Sequence, residues 1–134
     1  MDEKKSQKNN KMDEKIRQSS ASIQFVKGIL EKVVPEVYLT RSRDGGTGKA
    51  KFKFINPNIL DESTLFNDGE ITGMYMIDIE GIIETSNIIA IFKFGQPESL
   101  EAIYTMYSLK EWDRFMRFMD RYSLSNGLLF RKTE

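Results

Sequence analysis

Histidine and cysteine are both absent from the 134 residues, which removes most of the usual catalytic chemistry at once. The commonest general base and transition-metal ligand is missing, and so are thiol nucleophiles, thiolate metal sites and disulfides. Carboxylates, lysines and tyrosines remain, but they form no recognisable acid–base or nucleophilic constellation. Two stretches invite chemistry all the same. Gly46-Thr47-Gly48-Lys49 looks like the end of a phosphate loop. Yet Arg43 stands where the first glycine belongs, Ala50 replaces the magnesium-binding hydroxyl, and a strand pattern follows where a helix is required. The acids of Asp61-Glu62 and Asp68 lack the every-second-residue ligand spacing of a calcium loop. The chain reads as a binding protein and not an enzyme, with no catalytic, cofactor or metal site and no small-molecule substrate.

The side chains left to carry a function are cations. On a helical wheel of 3.6 residues per turn, Lys110, Arg114, Arg117 and Arg121 fall in one narrow stripe. The stripe is either a basic rail for an acidic partner or a solvated face with internal pairing, Asp113 preceding Arg117 by four residues. Spacing alone favours the second reading. A second group comprises Lys49, Lys51 and Lys53 with the neighbouring Arg41 and Arg43, and Lys27 lies upstream. These either keep one sheet face wet or meet acidic groups of a partner. Basic and acidic residues number 20 each. A net charge of zero argues against nonspecific nucleic-acid binding, which relies on excess positive charge.

Holding the stripe requires a helix, and the sequence marks one over Ser108 to Asn126. Ser108 with Glu111 has capping-box spacing, and Asn126-Gly127 supplies a left-handed stop. Leu109, Trp112, Phe115, Met116, Met119 and Tyr122 share the opposite, apolar face. That face is a core stripe in preference to a cofactor or lipid contact, because it follows the period that packing demands.

The lysine row requires a strand, and Lys49 to Phe54 alternates without a fault, apolar in and lysine out. Further strands are expected at Ile23–Phe25, at Val33–Leu39 with Pro35 at its start or on an edge, and at Ile71–Asp78. The turn Glu80-Gly81 follows. Asn87–Phe94 is apolar on both faces, which predicts a central strand. Leu100, Ala102, Tyr104 and Met106 share one face of another, and Leu128-Leu129-Phe130 forms a short last strand. The fold class is α+β: antiparallel sheet built from hairpins, with one long C-terminal amphipathic helix packed on it. The core includes Phe25, Phe52, Phe54, Trp112, Phe115 and Met119. Residues 1–21 are polar and form a disordered tail before a single domain at 22–134. The opening Met-Asp-Glu-Lys-Lys lacks the apolar core of a signal peptide, and no apolar run has bilayer-spanning length.

The run Glu111-Trp112-Asp113-Arg114-Phe115-Met116-Arg117-Phe118-Met119-Asp120-Arg121-Tyr122 resembles the signature helix of the Psb28 family, the thirteen-kilodalton W proteins of photosystem II. Ile23-Gln24-Phe25, Lys27-Gly28, Val33-Val34-Pro35-Glu36-Val37, Ala50-Lys51-Phe52 and Ile71-Thr72-Gly73-Met74-Tyr75 agree in order, so the likeness covers the chain from Ser22 onward. The resemblance implies a non-enzymatic assembly or repair factor without a cofactor. It would be peripheral on the thylakoid membrane, on the stromal side in a plastid or the cytoplasmic side in a cyanobacterium. The implied partners are photosystem II core subunits: the larger inner antenna, the reaction-centre heterodimer and the b-type cytochrome. The alternatives are a regulator of chlorophyll synthesis or supply and, more remotely, a small nucleic-acid-binding domain. For the family role, addition of a partner strand to a free sheet edge, helped by the cations named above, is the expected mode.

Overall fold

The computed structural model describes residues 20–61, 70–128 and 131–133. Residues 1–19 of the expected tail, and the acids Glu62 and Asp68, lie outside them. Ala21–Val26 forms β1, Ile29–Leu30 β2, Glu36–Arg41 β3, Gly48–Ile55 β4, Met74–Asp78 β5, Gly81–Thr85 β6, Ile88–Lys93 β7, Gln96–Met106 β8 and Arg131–Thr133 β9. The helix α1 spans Leu109–Asn126. A small sheet has the order β2-β1-β5-β6, and a larger one the order β7-β8-β4-β3-β9. The α+β class and the helix laid on sheet are as the sequence predicts.

Alternation dictates the inner faces. Along β4 the side chains of Ala50, Phe52 and Phe54 are buried while Lys49 and Lys51 point to water, the period-2 consequence of the pleat. β8 pairs with β4 in register, so Leu100, Ala102 and Met106 join the same buried layer. The layers are locked by aromatic contacts. Phe25 of β1 meets Phe54 edge-on at 4.9 Å between ring centroids, and Phe52 meets Phe115 of α1 at 6.1 Å, both within the range that favours aromatic pairs. All six predicted core residues are buried, Trp112 and Met119 among them.

The helix starts and stops where its end residues dictate. The Ser108 hydroxyl accepts from the Glu111 amide, and Gly127 takes the left-handed conformation at φ 66° with its amide bonded to the Ser123 carbonyl. The Glu111 carboxylate accepts from the amide of Tyr107 and not from that of Ser108, so the reciprocal half of the cap lies one residue earlier than the box predicts. The buried face is also rotated. Leu109 is exposed and Phe118 is fully buried, stacked on Tyr122 at 5.7 Å. The small sheet causes this, because α1 packs on β1 and β5 as well as on β8.

Four strand expectations need correction, the first being the strand expected from Ile71: β5 starts at Met74, and residues 71–73 lie outside it. Val33-Val34-Pro35 lies outside β3, because the buried Glu31 carboxylate accepts from the amides of Val33, Asn58 and Ile59 and draws this backbone away from the ladder. The last strand is Arg131–Thr133, and it runs parallel to β3; Leu128 precedes it, and Leu129 and Phe130 lie outside the described residues. Finally, β7 is not central. Among the described residues it pairs with β8 alone and forms one edge of the larger sheet.

Candidate partner-docking surface

The arginine stripe of α1 turns inward. Asp78 ends β5, and its carboxylate receives a bidentate pair of hydrogen bonds from Arg114, at 2.9 and 2.6 Å, and another from Arg121 at 2.9 Å. Glu80, in the turn before β6, takes two bonds from Arg117 at 2.8 Å and one from Arg121 at 2.6 Å. The Asp78 side chain has no exposed surface, while those of Arg114 and Arg121 retain about a fifth of theirs. Burial opposes ionisation of Asp78, but the bonds from Arg114 and Arg121 outweigh it and hold the carboxyl below its ordinary value. Arg117 and Arg121 likewise pull Glu80 down to about 2. The cluster clamps the helix to the β5–β6 turn. Of the two sequence readings, internal pairing prevails, but the partners lie across the fold; Asp113 acts on Arg117 only through space.

Arg41 is also held internally. Its guanidinium lies over the Trp112 ring at 4.7 Å and donates to the Gly45 carbonyl at 3.1 Å. Arg43 is exposed in the β3–β4 turn. Lys27 is exposed, with its ammonium 5.0 Å from the centroid of the Tyr75 ring. Lys49, Lys51 and Lys53 line the outer face of β4, and Lys51 lies 3.6 Å from the Glu101 carboxylate. That face is open to solvent, but β4 sits between β8 and β3. The lysine row therefore marks the middle of a sheet face and not an edge.

Sequence reasoning expects a free sheet edge without saying which strand supplies it. Every second residue of an edge strand turns an unpaired N–H and C=O outward. Proteins commonly blunt such edges with charge, proline or brevity. β7 has six residues, and its one charge is Lys93 at the end. Ile89 is 56% exposed, Phe92 63% and Phe94, in the turn beyond, 96%. The other three edges are poorer templates: β2 has two residues, β9 has three that include Arg131 and Lys132, and β6 carries Glu84. An apolar strand uncovered on its outer side is what would have betrayed β7 in the sequence, had its neighbours been known.

The hairpin tip is strained. Lys93 pairs with Gln96, so Phe94 and Gly95 form a two-residue connection, with φ of 53° and 75°. Two successive positive φ values define the type I′ turn, which favours Asn-Gly or Asp-Gly. An aromatic residue in the left-handed region costs roughly 1–2 kcal/mol. Asn56, the other such non-glycine residue among those described, is of the expected type; Phe94 is not.

Among the described residues no cluster of three or more acidic side chains is gathered as a metal would require, and no helix is long and apolar enough to cross a membrane. Compared with known protein families, residues 23–130 match the Psb28 protein family. The chain is 62% identical to the photosystem II reaction center Psb28 protein of Trieres chinensis, over 84% of this chain and 96% of that one. Its identity to the protein of that name from Phaeodactylum tricornutum is 61%, with the same coverage. It is 57% identical to the photosystem II assembly factor Psb28 protein of Thermosynechococcus vestitus, over 85% and 95% of the two chains. With residues 23–130 of its 134 matched, this chain belongs to the Psb28 family.

Proposed function

We propose that this protein is a non-enzymatic factor in the assembly or repair of photosystem II, docking from the stromal or cytoplasmic side of the thylakoid membrane. Its partners are the larger inner antenna, the reaction-centre heterodimer and the b-type cytochrome. The observation that carries the mode of binding is the uncovered β7 edge. An extended segment of a core subunit adds there as a further strand, with main-chain hydrogen bonds supplying affinity. The relatives' names support the process, and the absence of histidine and cysteine supports a binding role over catalysis.

The lysine row contributes differently. At ~4.8 Å per strand, an added strand beyond β7 runs roughly 14 Å from β4. That exceeds the screening length of about 8 Å at physiological salt. Lys49, Lys51 and Lys53 thus meet acidic surface of the partner that overhangs the open face, and they act on docking rate more than on the added strand.

The test is affinity purification of a tagged copy from gently solubilised thylakoids, with mass spectrometry of the bound subunits. Recovery of photosystem II core subunits without the extrinsic oxygen-evolving proteins is expected. Chlorophyll-synthesis enzymes or nucleic acid without photosystem subunits would overturn the reading. The double variant Lys51→Glu, Lys53→Glu should reduce recovery, more so at low salt; unchanged recovery would remove the lysines from the interface.

A further inference from the structure

Phe94 sits in a backbone conformation suited to asparagine or glycine, at the tip of the β7–β8 hairpin, and 96% of its surface meets water. Among the described residues no contact offsets the strain. Phe92, 63% exposed, and the unpaired edge of β7 adjoin it. Strain without an internal return is expected where a residue serves an external contact.

We infer that Phe94 is the anchor of the docking surface: its ring enters an apolar socket on the protein whose extended segment adds to β7. The inference rests on the strand-addition reading above and assigns it a specific residue. Three occupants compete for this patch, and the structure separates them. A bilayer would have to cover the β7 edge, whose outward N–H and C=O groups lipid cannot satisfy. Nor does the tip offer spare positive charge to anionic headgroups, since Lys93 lies 3.8 Å from the Glu98 carboxylate. A second copy pairing β7 with β7 in antiparallel fashion would set each Phe94 beside the polar, exposed Ser86 and Asn87 of the other, which form no socket. A partner protein with an extended segment and an adjoining apolar pocket satisfies both the backbone and the ring.

The decisive variant is Phe94→Asn, because it moves stability and binding in opposite directions. Asn-Gly is the preferred type I′ pair, so the isolated variant should melt about 2–6 °C higher. Its affinity for photosystem II core complexes isolated from thylakoids should fall roughly 30-fold, as for a buried aromatic anchor. Phe94→Trp keeps a large ring and should retain most of the binding. If wild type and Phe94→Asn bind the cores equally, the anchor is refuted while strand addition stands. If the wild type itself does not bind cores, the proposed function fails and the anchor with it. Flotation with thylakoid-lipid vesicles, or a dimer in size-exclusion chromatography, lost in Phe94→Asn while core binding persists, would overturn the assignment in favour of lipid or a second copy.

Discussion

Gly48→Ala is a test of how the β3–β4 hairpin and the helix fit together. Gly48 opens β4, paired with Arg41 on one side and Met106 on the other. Its α-carbon lies against Trp112, and an added methyl would stand 2.5 Å from Cζ3 of the indole, 2.6 Å from Cε3 and 3.1 Å from the Thr40 carbonyl. Real β-carbons do not come so close, and the ring has little room to yield. Trp112 is buried on the helix side and covered by the Arg41 guanidinium. Overpacking of this kind costs about 1–3 kcal/mol. Displacing the ring from beneath Arg41 forfeits up to about 1–2 kcal/mol of cation–π attraction. Because the two effects share one displacement, a total near 2–3 kcal/mol is expected. Trp112 is the single tryptophan, so urea unfolding followed by its fluorescence reports both the free energy and the ring's surroundings. The variant should lose that stability and shift its native emission. In a Trp112→Phe background, followed by far-ultraviolet circular dichroism because the fluorescent reporter is then gone, Gly48→Ala should cost less than it does in the wild type. A change below about 0.5 kcal/mol with unaltered emission would refute the geometry of this contact.

Two further perturbations address polar sites. Asp78→Asn removes a carboxylate with no exposed surface from between Arg114 and Arg121. The cost at neutral pH should be about 2–3 kcal/mol, below that of a fully buried pair because both arginines keep contact with water. The folded carboxyl titrates below its ordinary range, so its stabilisation is present above the unfolded pKa and is lost as pH falls through the folded one. Thermal melts from pH 6 to pH 2 should show the wild type approaching the variant only in strong acid; a gap independent of pH would count against the network. Glu31→Gln leaves one carbonyl oxygen where two carboxylate oxygens accept from Val33, Asn58 and Ile59. It should cost about 1–3 kcal/mol in urea unfolding, with faster amide hydrogen exchange around Ile59, and unchanged exchange there would argue against the clamp.

Ser108, the apolar stripe and Gly127 delimit α1 because capping, amphipathic period and left-handed stop act within a few residues of chain. The lysine–aromatic alternation of Lys49 to Phe54 needs only the pleat. The signature run from Glu111 to Tyr122 likewise carries the family in its own letters, which residues 23–130 match. All of this is local, and the sequence by itself determined it. Tertiary structure decided the rest, because it turns on which strands become neighbours. An apolar strand reads the same at a sheet's centre and at its edge, since periodicity reports faces and not partners; only the ladder order leaves β7 open. Arg114, Arg117 and Arg121 form the same stripe whether they face solvent or acids, and Asp78 and Glu80 lie more than thirty residues away in sequence. Arg41 reads as a free turn cation until the helix brings Trp112 beneath it. Contacts between distant residues are fixed by packing of the whole core, and that is where the proposed docking surface is selected.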